Sequence, residues 1–283
     1  MHVVRDWGFP PSPGCHAAGY GGLRGIGDSG RPARRLSAAI LLAAAVCTAI
    51  VLHASGPKPG EPQAVTFQAR DGVAVTGTLH LPEKTPAPAV LLLPMMSRTQ
   101  HDWDQVAARL AESGIAALTI DFRRNGGPKP AGAVAAAAAD VPESGDFSDL
   151  VLDAEAARAY LSARPEMLGG KVGLLGASLG ANVAVLAAGN DASISTIALL
   201  SVSLEYRGLR IEQALKNYGS RPALLVASSE DPYALRTARK AVTMGDGPRE
   251  LRVLSGAGHG TVMLSRDPDL ISALVDWFQR TLL

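Results

Sequence analysis

The stretch that most constrains the fold runs from Lys171 to Ala188 and reads KVGLLGASLGANVAVLAA. It opens with an apolar run of strand length, passes through GASLG at 176–180, and continues with apolar residues at helical spacing. A strand, a sharp turn and a helix therefore meet at Ser178. The turn is so tight that a side chain at Gly176 or Gly180 would press on the neighbouring backbone, which gives both glycines a steric reason.

A G-x-S-x-G pattern is informative only in context, because a chain with 30 glycines also produces it by chance. Here the strand before Ser178 and the helix after it are the context expected of a nucleophile elbow. That geometry leaves the serine hydroxyl exposed above the sheet, at the positive end of the following helix. An ordinary glycine-rich turn is the alternative explanation.

From residue 63 onward the chain alternates between strand and helix patterns. Two runs of alternating apolar residues joined by Asp71-Gly72 predict a β-hairpin. Apolar runs of strand length and amphipathic helical segments then follow one another to the C-terminus. This order predicts an α/β fold with a mostly parallel twisted sheet, an N-terminal antiparallel hairpin and helices on both faces.

Several helix boundaries follow from capping signals. Ser148 is placed as the N-cap of an amphipathic helix, and Asp267-Pro268 as the start of the last helix. Residues 209–218 form a possible further helix. The long irregular stretch 121–147 is interpreted either as a lid with one short alanine-rich helix or as an insert without a role.

The segment before residue 63 differs in composition from the rest. Residues 1–35 are rich in Gly, Pro and Arg without periodicity, which predicts a disordered tail. Residues 36–52 are uncharged and predominantly apolar, and at helical rise they cover about 25 Å, near the lower limit of a membrane span. They are interpreted as a membrane anchor or a signal sequence, with a buried core helix as the alternative, and 53–62 as a linker.

The charged residues and the cysteines indicate where the protein is located and which partners it is expected to have. Arginines stand just before the apolar run, which predicts the N-terminus inside and the rest outside. The domain at 63–283 is therefore expected to be membrane-anchored and extracytoplasmic, or secreted after signal cleavage. A net charge of +1 gives no reason to expect nucleic acid. Both cysteines precede the domain, which leaves it no disulfide or thiolate metal site.

Two further residues occupy strand ends. Asp231 follows the apolar run at 223–226, and His259 follows the last predicted strand at 251–254. In open α/β sheets functional groups lie at the carboxyl ends of the strands, which is also where Ser178 sits. A serine hydroxyl is a poor nucleophile unless a base takes its proton, and a histidine base needs a carboxylate to fix its tautomer. Ser178, Asp231 and His259 are therefore the predicted catalytic residues.

Each of these residues has an ordinary explanation on its own. Asp231 precedes a proline and would cap a helix, Glu230 is an alternative acid, and His259 would be a loop histidine. Their joint occurrence in the order Ser, Asp, His favours catalysis. The HDWD sequence at 101–104 is disfavoured as a metal site, because its residues are adjacent and an aspartate there caps a helix. No phosphate loop or dinucleotide fingerprint occurs, so no metal or cofactor is expected.

From about residue 63 to 283 the chain resembles an α/β-hydrolase, nearest the dienelactone-hydrolase-like and small bacterial serine esterase branch. The segments that carry the resemblance are LLLPMMSRTQHDWDQVAARLAESGIAALTIDFR, GLLGASLGANVA, ALLVASSEDPYA and VLSGAGHGTVML. The resemblance implies the α/β-hydrolase fold over 63–283. It further implies Ser178 as nucleophile, Asp231 as acid and His259 as base.

The resemblance also places an oxyanion hole at the backbone N–H groups of Met96 and Leu179. The sequence PMM at 94–96 replaces the family's His-Gly-x motif, which leaves Met95 as an alternative donor. Dienelactone hydrolases use a cysteine nucleophile, so the serine here indicates oxygen esters.

The expected activity is hydrolysis of a small-molecule carboxylic ester through an acyl-enzyme. The alternatives are an acyltransferase or lipase acting on lipid or cell-envelope esters, and a catalytically dead scaffold that binds a partner. The substrate pocket is expected to be lined by apolar, flexible side chains, namely Met95, Met96, Leu179, Tyr206 and Met263.

Overall fold

The computed structural model describes residues 60–124 and 145–283. The predicted tail 1–35, the apolar segment 36–52, most of the linker and most of the irregular stretch 121–147 lie outside the described residues. No helix in the described part is both long and apolar enough to span a membrane. The prediction for residues 36–52 therefore stays a prediction.

The described chain contains a large sheet and a small hairpin. The strands are β1 (Gln63–Gln68), β2 (Ala74–His80), β3 (Ala87–Leu93), β4 (Ala116–Ile120), β5 (Met167–Ala177), β6 (Ile194–Leu200), β7 (Glu205–Tyr206), β8 (Leu209–Arg210), β9 (Ala223–Ser228) and β10 (Arg249–Leu254). The helices are α1 (Asp104–Glu112), α2 (Leu150–Ser162), α3 (Leu179–Asn190), α4 (Glu212–Tyr218), α5 (Pro232–Ala241), α6 (Val262–Arg266) and α7 (Leu270–Leu282).

Eight strands form one sheet in the order β1-β2-β4-β3-β5-β6-β9-β10. The pairs β1–β2 and β2–β4 are antiparallel, and every other pair in this sheet is parallel. The N-terminal hairpin is the one that Asp71-Gly72 predicts, with Gly72 at φ 82°. The predicted mostly parallel sheet with an antiparallel start is confirmed.

Two apolar cores lie on opposite faces of the sheet. One packs α2, α3 and α5 against inward residues such as Leu91 and Leu174, and the other packs α1 and α7 against Leu92 and Leu175. Neighbouring strand residues alternate between these cores because successive side chains of a strand point to opposite faces. The central strands are buried on both faces, and this explains their nearly continuous apolar sequences.

Two helix starts differ from the prediction. The N-cap residue of α2 is Asp149 rather than Ser148, and its carboxylate accepts hydrogen bonds from Arg124 at 2.9 and 3.0 Å instead of capping the helix. The last helix, α7, begins at Leu270, because Asp267 accepts the N–H of Asp269 at 3.1 Å in a preceding turn. In both places local pairing of a carboxylate outweighs the capping signal.

The region predicted as a helix over 209–218 is also different. It starts with the hairpin β7–β8, and α4 begins only at Glu212. The two-residue turn of the hairpin is Arg207-Gly208, with φ values of 46° and 85°. Positive φ at both central residues defines the tight turn that matches strand twist. An arginine is an unusual occupant of that position, so the local sequence gave no hairpin signal.

Candidate active site

The turn between β5 and α3 has the geometry expected of an elbow. Ser178 sits at its apex with φ 50° and ψ −115°. A Cβ atom on Gly176 would lie 2.2 Å from the carbonyl oxygen of Gly180, and one on Gly180 would lie 2.4 Å from the carbonyl oxygen of Leu93. Real Cβ atoms do not approach backbone this closely, so the steric reason predicted for both glycines is confirmed.

The backbone of Ser178 is held in an unfavourable region. A non-glycine residue in such a conformation costs about 1–3 kcal/mol unless its surroundings fix it. The N–H of Ser178 donates to the carbonyl of Leu200 on β6 at 2.8 Å, and its carbonyl accepts from Ala181 and Asn182 at 3.0 and 3.2 Å. The sheet on one side and the first turn of α3 on the other thus fix the hydroxyl at the top of the sheet.

His259 follows β10 and reaches over the elbow. Its Nε2 lies 2.8 Å from the Oγ atom of Ser178, and its Nδ1 lies 2.5 Å from the Oδ2 atom of Asp231. The flanking Gly258 and Gly260 have φ values of 79° and 59°, which L side chains rarely adopt. The His259 side chain remains 44% exposed, so solvent reaches the imidazole.

Asp231 combines the two roles that its sequence suggested as alternatives. Its Oδ1 atom accepts the N–H of Ala234 at 3.0 Å and caps α5, and its Oδ2 atom faces the imidazole. Glu230 points elsewhere: its side chain is 56% exposed, with Oε2 3.6 Å from a guanidinium nitrogen of Arg266. The structure therefore brings Asp231, and not Glu230, to His259.

Two buried serines support the histidine loop. The Oγ atom of Ser201, after β6, accepts the N–H of Gly260 at 3.0 Å, and that of Ser228, at the end of β9, accepts the N–H of Ala257 at 3.0 Å. Both side chains are fully buried. Sequence reasoning missed these two serines, although each stands at the carboxyl end of a strand.

The two predicted oxyanion donors belong to different segments of the chain. Met96 belongs to the loop after β3, and Leu179 is the first residue of α3. Within the described residues neither backbone N–H has a hydrogen-bond acceptor. An unpaired N–H is common for the first amides of a helix, and Leu179 is one of these.

A set of side-chain hydrogen bonds joins the loop after β3 to the histidine loop. The Asp102 carboxylate accepts hydrogen bonds from the hydroxyl of Thr261 at 2.5 Å and from two guanidinium nitrogens of Arg98 at 2.6 and 2.8 Å. Burial raises the pKa of the Asp102 carboxyl, but the hydrogen bonds from Arg98 and Thr261 lower it more, so the pKa lies below its ordinary value. Asp102 thus joins Arg98 of the loop after β3 to Thr261 of the histidine loop.

A cleft of about 510 Å³ is lined in part by Ser178 and His259. It is lined by Met95, Met96, Ser178, Ser203, Glu205, Tyr206, Tyr233 and His259. Of the predicted lining residues, Leu179 and Met263 are absent, because each side chain is buried in one of the two cores. A larger cleft of about 1170 Å³ beside β2 and α1 contains neither Ser178 nor His259, so size does not identify the site.

A sequence profile of the dienelactone hydrolase family matches residues 75–281. The chain belongs to the dienelactone hydrolase family. It is therefore a hydrolase, and the predicted resemblance is confirmed. No curated protein matches the chain.

Solved structures share the fold of this dienelactone hydrolase family member. A dienelactone hydrolase from Anabaena variabilis is 19% identical with a TM-score of 0.64, covering 80% of this chain and 100% of that one. The esterase domain of a Rhodothermus marinus protein is 18% identical with a TM-score of 0.62, covering 79% and 100%. A Pyrococcus furiosus esterase is 15% identical with a TM-score of 0.60, covering 79% and 92%. At these identities the likeness shows the α/β-hydrolase fold.

In this family member one buried amide fixes the side of the cleft formed by residues 203–209, which we call the pocket wall. Asn182, one turn after Ser178 on α3, is fully buried. Its Oδ1 atom accepts the N–H of Ser203, and its Nδ2 atom donates to the carbonyls of Ser203 and Leu209, each at 3.0 Å. The helix that follows Ser178 therefore also helps to position the wall, a connection that sequence reasoning missed.

Proposed function

We propose that this hydrolase cleaves carboxylic esters through an acyl-enzyme formed on Ser178. The observation that supports this most strongly is the position of His259, with Nε2 2.8 Å from the Ser178 hydroxyl and Nδ1 2.5 Å from the Asp231 carboxylate. An imidazole held in this way accepts the serine proton at Nε2. Asp231 orients the Nδ1–H tautomer and stabilises the imidazolium that forms.

In the first half of the reaction Ser178 attacks the ester carbonyl while His259 takes its proton. The oxygen of the tetrahedral intermediate becomes negatively charged and accepts hydrogen bonds from the backbone N–H groups of Met96 and Leu179. The intermediate then collapses, the carbon–oxygen bond to the alcohol breaks, and His259 returns the proton to the leaving alcohol. Ser178 is left acylated.

In the second half water replaces the alcohol. His259 takes a proton from the water as it attacks the acyl carbon, and the second intermediate releases the acid and restores the Ser178 hydroxyl. The half-exposed imidazole and the polar Ser203 and Glu205 beside it favour water as the acceptor. A dry, apolar cleft would have favoured acyl transfer to an alcohol. The assembled triad argues against a binding protein without activity.

The proposal is tested with a panel of p-nitrophenyl esters of increasing acyl length, hydrolysed by the wild type and by Ser178→Ala. We expect turnover of at least one ester by the wild type and loss of that turnover in the variant. Equal rates for the two proteins would contradict a nucleophilic Ser178. The profile over chain length also reports the acyl group that the cleft accepts.

We also propose that residues 36–52 hold the enzyme at a membrane or direct its export, with the catalytic domain extracytoplasmic or secreted. The uncharged apolar run and the arginines before it support this. Full-length protein should fractionate with membranes or appear in processed form, and a version without residues 1–60 should be soluble and active. Recovery of the unprocessed full-length protein in the soluble fraction would contradict the proposal.

A further inference from the structure

The side chains that line the cleft, apart from the triad, share an affinity for positive charge. They provide two thioethers, two phenol rings, one hydroxyl and one carboxylate, namely Met95, Met96, Tyr206, Tyr233, Ser203 and Glu205. No lysine or arginine is among the described lining residues. A cleft with this lining presents negative charge and polarisable surface to whatever binds above Ser178.

Aromatic faces attract cations through their ring quadrupole, and thioethers offer soft, polarisable contact. Tyr206 and Tyr233 supply the rings, and Tyr233 is 48% exposed, so it is accessible to a ligand. The Glu205 carboxylate adds an opposite charge to the same cleft. Together these groups favour an ammonium ion and disfavour an anion.

A hydrogen bond within the hairpin orients the Glu205 carboxylate. Its Oε1 atom accepts the N–H of Gly208 at 3.0 Å across the turn of the β7–β8 hairpin. The hairpin lies in the pocket wall, which Asn182 anchors to α3 through three hydrogen bonds. Glu205 is exposed, and this hydrogen bond favours one orientation of its carboxylate, which reduces the entropy lost on binding.

The neighbouring Arg207 contacts two aromatic rings next to the cleft. The Arg207 guanidinium lies 5.3 Å from the centroid of the Phe147 ring and 5.8 Å from that of Tyr206. Arg207 is not among the residues that line the cleft. Its contact with Tyr206 is itself a cation–π pair, so the guanidinium would repel a second cation at this ring, and Tyr233 and Glu205 are the main groups for recognising one.

We propose that the cleft selects esters that carry an ammonium group, with Tyr233 and Glu205 as the main residues that recognise the cation. This selectivity rests on the proposed esterase function, because it concerns the substrate of the same nucleophile. A short cationic alcohol or acyl chain would place its ammonium against the wall while its carbonyl lies at Ser178.

The test compares two esters of one shape. Butyrylcholine and 3,3-dimethylbutyl butyrate differ only in the replacement of a quaternary nitrogen by carbon. For the full-length protein at low ionic strength we expect kcat/KM to favour the cation by about five- to tenfold, with the preference shrinking as salt is added. Equal kcat/KM values, or a preference for the neutral ester, would overturn the cation site.

The matched variants are Glu205→Gln and Glu112→Gln. A glutamine at 205 keeps an acceptor for the Gly208 N–H but lacks the charge, so the ratio of the two kcat/KM values should fall to about twofold or less. Glu112 is exposed on α1 and outside this cleft, so its variant should keep the wild-type ratio. An unchanged ratio in Glu205→Gln would overturn the role of the carboxylate.

A binding measurement separates this inference from the esterase proposal. Saturation-transfer NMR with choline and with 3,3-dimethylbutanol should show stronger transfer to choline, and weaker transfer to choline in Glu205→Gln. If choline binds in this way and neither ester is hydrolysed, the esterase proposal fails and the cation site is supported. If both esters are hydrolysed equally and choline does not bind, the cation site alone is overturned.

Discussion

The nucleophile elbow and the pocket wall face the same cleft, but they are held by different means. The elbow at 176–180 is fixed by backbone: two glycines leave room for close approach, and Ser178 donates to the neighbouring strand. The wall at 203–209 is joined to α3 by a side chain, the buried amide of Asn182. The position of Ser178 thus depends on local sequence, whereas the position of the pocket wall depends on a contact between residues that are distant in the chain.

The largest expected effect tests the elbow. Ser178→Ala and His259→Ala should each lower kcat for an activated ester by several orders of magnitude, about 10⁴- to 10⁶-fold. The double variant should be hardly worse than either single one, because the two groups act as a unit. Steady-state kinetics of all three variants on p-nitrophenyl acetate, with circular dichroism to confirm folding, provide the measurement. Additive losses would contradict a coupled pair.

The next effect separates Asp231 from its neighbour. Asp231→Asn retains an acceptor for the Ala234 N–H and hence the cap of α5, but the imidazole loses its orienting charge. We expect a loss on the order of 10⁴ in kcat. Glu230→Gln is the matched control, and it should cost about tenfold or less because Glu230 faces Arg266. If Glu230→Gln lost more kcat than Asp231→Asn, the acid would have been assigned to the wrong residue.

A smaller effect tests the wall. Asn182→Ala leaves two carbonyls and an N–H without their buried partner, so we expect about 2–3 kcal/mol of destabilisation and a melting temperature lower by about 5–10 °C. The loss in kcat for p-nitrophenyl acetate should be about tenfold or less, while KM for larger esters rises, since the wall positions substrate. Asn217→Ala, on the exposed face of α4, is the control. It should leave the melting temperature, kcat and KM at their wild-type values.

The smallest effect concerns the link between the loop after β3 and the histidine loop. The pKa of Asp102 lies below its ordinary value, because the hydrogen bonds from Arg98 and Thr261 outweigh the effect of burial. The stability contributed by the ionised carboxylate is therefore full above the ordinary carboxyl pKa and is lost as pH falls through the lowered one. Asp102→Asn should be about 2 kcal/mol less stable at neutral pH.

The difference in the free energy of unfolding between the wild type and Asp102→Asn should shrink below about pH 4, where Asp102 of the unfolded wild type is protonated. Urea unfolding of the wild type and Asp102→Asn at several pH values measures it. If the difference in unfolding free energy stayed constant from neutral pH to pH 3, the ionised Asp102 carboxylate would not be the source of the stability.

The contrast between elbow and wall also explains what the sequence revealed. Gly176, Ser178 and Gly180 form a contiguous pattern whose geometry follows from steric contact, and Asp231 and His259 stand at strand ends that apolar runs predict. The pairing of β1 with β2 followed from Asp71-Gly72. These features depend on short stretches of chain, and the structure places them as the patterns indicated.

The remaining features depend on partners far away in the chain. Residues 209–218 have helical periodicity, but Leu209 pairs across a hairpin whose turn contains Arg207, and Asn182 holds it there. Ser148 loses its capping role beside an Asp149 that pairs with Arg124. Ser201 and Ser228 stabilise the histidine loop through hydrogen bonds that no local pattern reports. The pocket wall and the contacts that support the histidine loop could therefore be identified only from the fold.

The most direct test of the central claim is labelling of the folded full-length protein with a fluorophosphonate probe, followed by peptide mapping. A serine activated by His259 and Asp231 should form one covalent adduct, at Ser178, and Ser178→Ala should form none. His259→Ala should react far more slowly, because its serine keeps its proton. Absence of an adduct at Ser178 in folded wild-type protein, or equal labelling of the His259 variant, would contradict the account.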